Sequence, residues 1–247
     1  MRIRTKKIIV AVSVVLFLLL GAATWYLWPY NPEPAAIQAM KGDNTIKVTT
    51  DSYGIIIEPA YEPIQQIGII FYPGAKVEPE SYAPLARDFA MLGFRTIIAR
   101  MPLNLALLGE SRANIIMERY HDQPFVIGGH SMGGAFAARY TATSPSNVEG
   151  LFFLAAYADR IQSLPVLSIL ASQDQVLDQD TYNRNRSNLP KTAQTLMIEG
   201  GNHAQFGDYG PQEGDGQAKI TPEKQRSQVV QAVVKWIGEI GQSKSQP

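Results

Sequence analysis

The chain has 247 residues, of which 45% are hydrophobic and 18% charged, enough for one globular domain with a substantial core and too few for two. Its 22 lysines and arginines equal its 22 aspartates and glutamates, so it lacks the overall basic excess that indicates nucleic-acid binding. It contains no cysteine, which excludes disulfides, thiolate-bound zinc, iron–sulfur clusters, a cysteine nucleophile and a lipid-modified N-terminal cysteine.

The N-terminus has the features of a membrane anchor. Residues 1–7 form a basic tip with Arg2, Arg4, Lys6 and Lys7 and no acid, and residues 8–27 follow without a charge. As a helix these 20 residues would span about 30 Å, the thickness of the hydrocarbon core of a bilayer. Tryptophans and tyrosines cluster at the far end, as at a membrane interface. We expect a single-pass anchor over residues 8–28 in the cell membrane, with a cytoplasmic N-terminus and an extracytoplasmic body.

A cleaved signal peptide is the alternative interpretation, and it would give a secreted protein. Residues 8–20 alone would serve as its apolar region, but residues 21–23 (Gly-Ala-Ala) offer a mediocre cleavage site. The Asn-Pro-Glu-Pro stretch at residues 31–34 then predicts a stiff linker. The expected organisation is the tip, the anchor, a linker over residues 29–40, a folded domain over residues 41–241 and a tail over residues 242–247.

In the folded domain, short apolar runs rich in β-branched residues alternate with helical stretches. The expected strands are residues 45–50, 54–58, 68–72, 95–99, 125–128, 150–155, 166–171 and 195–198. The expected helices are residues 81–92, 106–120, 133–142, 179–188 and 221–240. Because the middle strands are almost continuously apolar, they suit a parallel sheet covered by helices on both faces. We therefore expect an α/β fold with an eight-stranded, mostly parallel sheet that begins with an antiparallel hairpin.

A candidate nucleophile lies in residues 129–133, which read Gly-His-Ser-Met-Gly and fit the pattern G-x-S-x-G. The motif directly follows the apolar run PFVIG and directly precedes the helix-compatible run GGAFAARYTA, the strand–turn–helix setting that exposes a serine for attack. Amide hydrogens at the start of the helix favour a developing negative charge. Ser131 is therefore the candidate nucleophile, and an ordinary glycine-rich turn is the alternative.

The candidate base follows from the order of the catalytic residues. Folds with this motif use the order serine, acid, histidine, and of the three histidines only His203 comes after Ser131. It follows the apolar run TLMI in a loop that could bend over the nucleophile. His130 adjoins the nucleophile and is expected to pack in the interior, while His121 is expected in an exposed loop.

The candidate acid must lie between the nucleophile and the base. The acids in that interval are Glu149, Asp159, Asp174, Asp178, Asp180 and Glu199. Asp174 comes three residues after the strand LPVLSILA, where a loop at the end of the strand would point it at the histidine. Asp159, after the preceding strand, is the alternative, and Asp178 and Asp180 suit the N-terminus of the next helix.

Attack by such a serine on a carbonyl group also needs an oxyanion hole with two N–H donors. One donor is the residue after the nucleophile, and the other lies in the loop after the third strand. Met132 supplies the first. The second comes from the sequence Phe-Tyr-Pro-Gly-Ala-Lys at residues 71–76. Because Pro73 has no N–H, the donor is Gly74 or Ala75, and we favour Ala75. A plain turn between strand and helix is the alternative.

The motifs FYPGA, GGHSMGG, SQD and EGGNHAQFGDYG, in this order, resemble the α/β-hydrolase superfamily, and more narrowly its small bacterial membrane-anchored members of the fold-5 group. The resemblance covers residues 45–240, and NHAQFGDYGPQEGDG looks particular to the narrower group. One departure is Pro73, which stands where many relatives have a histidine. The resemblance implies a hydrolase and does not imply a substrate.

Only about nine residues separate the runs LFFLAA and VLSIL, too few for the cap that lipases and many esterases insert there. We therefore expect an open, shallow site and a soluble or surface-presented ester substrate. An acidic, glycine-rich insertion follows at residues 207–216. Its Asp208, Glu213 and Asp215 could bind a cation, but such a loop is more often only a loop, so we expect neither a metal nor a cofactor.

The leading interpretation is a serine hydrolase that transfers the acyl group of a small ester-like molecule to Ser131 and then to water. A thioesterase or amidase with the same triad is the alternative within this class. A catalytically silent, membrane-anchored binding protein is the alternative from another class, and the complete set of Ser131, Asp174 and His203 argues against it. The expected partners are the membrane and the substrate, with no nucleic acid.

Overall fold

A computed structural model describes residues 12–19, 21, 27–62, 64–143 and 145–244. Eight strands form one sheet in the order β1-β2-β4-β3-β5-β6-β7-β8. The strands are β1 Ile46–Thr50, β2 Gly54–Pro59, β3 Gly68–Tyr72, β4 Thr96–Ala99, β5 Phe125–His130, β6 Val148–Leu154, β7 Val166–Ala171 and β8 Gln194–Ile198. Both pairings of β2 are antiparallel, and every pairing from β4 to β8 is parallel. The expected eight-stranded, mostly parallel sheet with an initial antiparallel hairpin is confirmed.

Helices cover both faces of the sheet. They are α1 Pro34–Ala39, α2 Ala83–Met91, α3 Arg112–Arg119, α4 Met132–Thr141, α5 Gln179–Asn185 and α6 Pro222–Lys244. Successive residues of a strand point to opposite faces, and β6 shows the result. Phe152 packs with Phe89 of α2 and Trp236 of α6 in one core cluster, whereas Phe153 packs with Phe136 of α4 in the other.

The expected helix over residues 106–120 is interrupted. A single 3-10 turn at Ala106–Leu108 is followed by Gly109, and α3 begins only at Arg112. Gly109 packs so closely that a Cβ atom there would lie 2.6 Å from the Met101 sulfur. This contact favours glycine here, and the chain leaves the helical conformation at Gly109, which has φ −138° and ψ 25°.

The segment expected to be a linker is folded onto the domain. Residues Pro34–Ala39 form α1, in which Ala36 is fully buried. Tyr30 makes a parallel bridge to Val77, and the Glu33 N–H donates to the Asp208 carbonyl at 2.8 Å. A proline suggests a linker in the sequence, but it is also well tolerated in the first turn of a helix, and here Pro34 takes that position.

About half of the expected anchor cannot be compared with the structure, since residues 8–11, 20 and 22–26 lie outside the described residues, as does the basic tip over residues 1–7. Residues 12–19 are helical with exposed side chains. Among the described residues, no helix is long and apolar enough to cross a membrane. The membrane anchor therefore stays a prediction. At the other end, α6 extends to Lys244, so the expected tail begins within that helix.

The parallel strands end together at one edge of the sheet, here called the carboxyl edge. The loops after β3, β5, β7 and β8 meet there, as expected for ligand sites in such sheets. Residues 155–165, which are all described, connect β6 to β7 without a helix. No helical insertion from this connection therefore covers the carboxyl edge.

Candidate active site

The nucleophile candidate lies at the sharp turn between β5 and α4. Ser131 has φ 51° and ψ −123°, a conformation that costs a non-glycine residue about 1–3 kcal/mol. Its amide donates to the Leu154 carbonyl at 2.9 Å, and its carbonyl accepts from Ala135 at 3.2 Å. The strained serine is thus held from both sides, in the way expected for an exposed nucleophile at the start of a helix.

The glycines of the motif are required by close packing. A Cβ atom at Gly133 would collide with the carbonyl oxygen of Tyr72. One at Gly129 would lie 2.5 Å from the amide nitrogen of Gly134. The turn therefore brings the backbone of α4 against β5 and the loop after β3, which no side chain at these positions would allow.

His203 and Asp174 form a buried pair. The Nδ1 atom of His203 lies 2.8 Å from Oδ2 of Asp174, and both side chains are 1% exposed. The other carboxylate oxygen, Oδ1, accepts the N–H groups of Val176 and Leu177 at 2.8 and 2.9 Å. The carboxylate is therefore fixed on both oxygens, and it orients the imidazole so that its other nitrogen, Nε2, can exchange a proton.

The alternative acids are engaged elsewhere. Asp159 forms an ion pair with Arg139, whose Nε donates at 2.8 Å. Asp178 caps α5 by accepting the Thr181 N–H at 3.0 Å, and hydrogen bonds from Thr181 hold the pKa of Asp178 below its usual value. His121 is exposed, with 75% of its side chain accessible. Of the acids weighed in the sequence, the structure brings Asp174 to His203.

Two side chains hold the histidine loop: Gln225, which is buried and which the sequence did not single out, and the partly buried Asp215, which the sequence suggested only as a possible cation ligand. The amide of Gln225, on α6, clamps Asn202 by accepting its N–H at 3.0 Å and donating to its carbonyl at 2.9 Å. Asp215 accepts the N–H of Ala204 at 2.8 Å and that of Gln175 at 3.3 Å. Because Gln175 follows Asp174 and Ala204 follows His203, Asp215 joins the loops that present the acid and the base.

His130 is buried beneath the site, as expected, but it also makes a specific hydrogen bond. Its Nδ1 lies 2.8 Å from the hydroxyl of Tyr82, which accepts the Gly74 N–H at 3.0 Å. Since the hydroxyl oxygen accepts the Gly74 N–H, the hydroxyl can donate its own hydrogen to Nδ1 of His130. The His130 ring centre lies 4.5 Å from that of His203. Burial, reinforced by the charge of His203, holds the pKa of His130 well below its usual value.

The hydrogen bond from the Gly74 N–H to the Tyr82 hydroxyl distinguishes the two candidate oxyanion donors in the loop after β3. The Gly74 N–H is used by Tyr82, whereas no acceptor among the described residues contacts the N–H of Ala75. Ala75 is partly exposed. Ala75 is therefore the donor that remains available in this loop, and Met132 is the first residue of α4 on the nucleophile side.

The acidic insertion at residues 207–216 has structural partners. Asp208 faces Arg226 at 3.4 Å, and burial raises the pKa of Asp208 to about 6. Asp215 bonds to the loops of the acid and the base. Within the described part of the chain, no group of three histidine, cysteine or acidic side chains is arranged to hold a metal ion.

A cavity of about 610 Å³ lies between this insertion and the N-terminal segment. Its lining includes Glu33, Gln205, Asp208 and Gln212 rather than the candidate catalytic residues. The cavity therefore adjoins the histidine loop, and its lining does not include Ser131, Asp174 or His203.

Comparison with known proteins agrees with this geometry. Residues 68–227 match the model of the alpha/beta hydrolase family. A candidate lipase from Acinetobacter baumannii is similar with a TM-score of 0.60 and 11% identity, over 85% of this chain and 96% of that one. An alpha/beta hydrolase from a lagoon-sediment metagenome has a TM-score of 0.58 and 14% identity, over 78% and 98%. A thermophilic esterase from Thermogutta terrifontis has a TM-score of 0.54 and 14% identity, over 79% and 93%.

Among curated proteins, none matches this chain. The solved structures are each below 25% identity and therefore show the fold, while the family model covers more than half of the chain. The chain belongs to the alpha/beta hydrolase family, and the resemblance of its motifs to the α/β-hydrolase superfamily is confirmed.

Proposed function

We propose that this protein is a serine hydrolase that cleaves acyl esters, with Ser131 as nucleophile, His203 as base and Asp174 as the acid that orients it. One observation carries the proposal. The hydrogen-bonded, buried pair of His203 and Asp174 lies at the same sheet edge as Ser131, and the ring centre of His130, the neighbour of Ser131, is 4.5 Å from that of His203.

Each group in this arrangement has a defined role. His203 takes the proton of the Ser131 hydroxyl as its oxygen attacks the ester carbonyl, and the N–H groups of Met132 and Ala75 stabilise the resulting oxyanion. His203 then returns the proton to the leaving alcohol, and an acyl-enzyme remains. Water, activated by the same histidine, attacks the acyl-enzyme and releases the acid. Asp174 stabilises the transient positive charge on His203 throughout.

Two of the similar structures carry names that support an ester substrate, namely a candidate lipase and an esterase. The connection between β6 and β7 leaves the carboxyl edge without a helical cap. A site of this kind admits an ester that is presented from outside rather than one enclosed by a moving lid.

The test is turnover of a panel of p-nitrophenyl esters with short acyl chains, together with matched thioesters and anilides, by the wild-type protein and Ser131→Ala. We expect ester hydrolysis by the wild type and a loss of about 10⁴-fold or more in kcat for Ser131→Ala. Faster turnover of the thioester or the anilide would make the protein a thioesterase or an amidase. If the wild type binds the esters but hydrolyses none of the three substrate types, the protein is a catalytically silent binding protein.

The membrane anchor over residues 8–28 forms part of the same proposal. It places the catalytic domain outside the cytoplasm, because the basic tip at residues 1–7 favours a cytoplasmic N-terminus. Protease added to intact cells should degrade the folded domain and leave an N-terminal epitope protected. A domain that stays intact until the cells are opened would contradict this topology, and release of a processed domain into the medium would identify a secreted form.

A further inference from the structure

Three exposed leucines project beside the candidate active site. They lie in the segment after β4, residues 102–108, here called the leucine loop. Leu103, Leu107 and Leu108 are 67%, 57% and 51% exposed. Because β4 runs parallel to β3 and to the strands beyond it, the loop lies at the carboxyl edge. Large apolar side chains exposed together mark an interaction surface.

The fold holds these leucines outward. Leu103 and Asn104 have φ values of 52° and 53°, a left-handed conformation that asparagine tolerates and that is strained for leucine. Ala106, which precedes Leu107 and Leu108, is fully buried. The turn Ala106–Leu108 packs against α4. The loop is thus fixed in the core at Ala106 while its leucines face solvent.

The leucine loop is bonded to the oxyanion loop and, through it, to the N-terminal segment. The N–H of Lys76, the residue after Ala75, donates to the Asn104 carbonyl at 2.8 Å. The Tyr30 N–H donates to the Lys76 carbonyl at 2.7 Å, and Tyr30 accepts the Glu78 N–H at 3.1 Å. Three chain segments therefore meet beside the oxyanion donor.

The expected anchor ends next to this junction. Residue 28 closes the predicted span, and Trp28 is 66% exposed. Only Pro29 separates it from Tyr30, so at most about 7 Å of chain lies between the end of the anchor and the residue that bonds to the oxyanion loop. An exposed tryptophan and exposed leucines are the side chains that enter the boundary between lipid headgroups and acyl chains.

We propose that the leucine loop and Trp28 dock on the bilayer surface, so that the active site takes acyl esters resident in the membrane. This inference rests on the proposed function and on the predicted anchor. It narrows the expected substrate, which was either a soluble or a surface-presented ester, to a surface-presented ester. The ester carbonyl of an amphiphile lies at the level to which such side chains penetrate, about 5–10 Å into the interface.

Docking can be measured without activity, because the chain contains no cysteine and single labelling sites can be introduced. The full-length chain carrying Leu107→Cys, labelled with an environment-sensitive fluorophore, is reconstituted in phosphatidylcholine vesicles. Leu92→Cys is the matched control, since Leu92 is also exposed but precedes β4 at the opposite edge of the sheet. We expect a lipid-borne nitroxide to quench the label at position 107 and not at position 92. Equal quenching at the two positions would overturn the docking.

The substrate class is tested with a triple variant, Leu103→Ser, Leu107→Ser and Leu108→Ser. Hydrolysis of a soluble short-chain ester should stay within about twofold of wild type, and hydrolysis of a vesicle-borne monoacylglycerol should fall by at least about tenfold, since lost apolar area weakens interfacial binding. The control, Met91→Ser with Leu92→Ser, should change neither rate. If the triple variant cleaves the vesicle-borne ester as fast as wild type, the inference is wrong and the proposed function stands. If the wild type cleaves neither ester, the proposed function fails, and with it the assignment of a membrane substrate.

Discussion

The hydroxyl of Tyr82 lies 2.8 Å from Nδ1 of His130 and accepts the N–H of Gly74 at 3.0 Å. One buried oxygen thus joins the residue before the proposed nucleophile to the loop that carries the proposed oxyanion donor. Because Ala75 follows Gly74 in the loop after β3, we expect this hydroxyl to set the position of the Ala75 N–H relative to Ser131. Tyr82 is therefore a candidate positioning residue of the site.

Removing this hydroxyl by Tyr82→Phe leaves two buried polar groups, the Gly74 N–H and His130 Nδ1, without their partner. Each such group costs about 1–3 kcal/mol, so we expect the free energy of unfolding to fall by at least about 2 kcal/mol. The value of kcat should fall by about tenfold with KM little changed, because the oxyanion donor is displaced. Urea unfolding and steady-state kinetics on a soluble ester measure the two effects.

Tyr182→Phe is the matched control, since its buried hydroxyl bonds to Ser168 at 3.1 Å within the fold. It should lower stability by about 1 kcal/mol and leave kcat unchanged. Equal kcat for Tyr82→Phe and wild type would show that the hydroxyl serves packing alone.

The two candidate acids can be separated by parallel substitutions. Asp174→Asn removes the charge that orients His203 and should lower kcat by about 10³–10⁴-fold. Asp159→Asn loses only a partly exposed ion pair with Arg139, worth about 0–1 kcal/mol of stability, and should leave kcat within about twofold of wild type. A greater loss of kcat in Asp159→Asn than in Asp174→Asn would show that the acid is Asp159, after β6, and not Asp174, after β7.

The strain at Ser131 should be visible in stability. Ser131→Gly relieves a positive-φ conformation worth about 1–3 kcal/mol, offset by about 0.5–1 kcal/mol of glycine flexibility in the unfolded chain. Ser131→Ala keeps the Cβ and the strain, and should unfold within about 1 kcal/mol of wild type. We expect thermal unfolding to rank Ser131→Gly about 1 kcal/mol above Ser131→Ala. The reverse order would mean that the turn is not strained.

Asp208 gives a pH dependence of stability. Burial raises its pKa to about 6, so the folded chain holds this proton at pH values where the unfolded chain has lost it. The stabilisation that protonated Asp208 gives the folded state is therefore fully present below about pH 4, the pKa of an aspartate in the unfolded chain. It is lost as the pH rises through about 6, the pKa in the folded chain. Asp208→Asn mimics the protonated form, so relative to wild type it should gain up to about 3 kcal/mol between pH 4 and pH 7. A stability difference that is constant across this range would show that Arg226 already neutralises the carboxylate.

Local signals made much of this fold predictable. The apolar run before Ser131 and the small residues after it specify a strand, a tight turn and a helix, and β5 and α4 lie where that pattern places them. The long periodic stretch near the C-terminus likewise forms α6. The position of Asp174 after β7 and of His203 after β8 followed from the order of the motifs, and the parallel sheet brings the two loops together.

Contacts between distant parts of the chain were not predictable. Tyr82 and His130 are 48 residues apart, and nothing in either local sequence marks the other as its partner. The clamp of Gln225 on Asn202 likewise depends on how α6 returns to the sheet. The helix α1 has only six residues, too few for a periodic signal, and is stabilised by packing that the sequence does not display.

The most direct test of the account is mapping of a fluorophosphonate probe on the intact protein. The probe phosphonylates a serine only when a base activates it, so its position identifies the nucleophile independently of the natural substrate. We expect one adduct per chain on the peptide that contains Ser131, lost in Ser131→Ala and reduced by about 10³-fold or more in rate in His203→Ala. An adduct on another serine, or equal labelling of Ser131→Ala and wild type, would contradict the central claim.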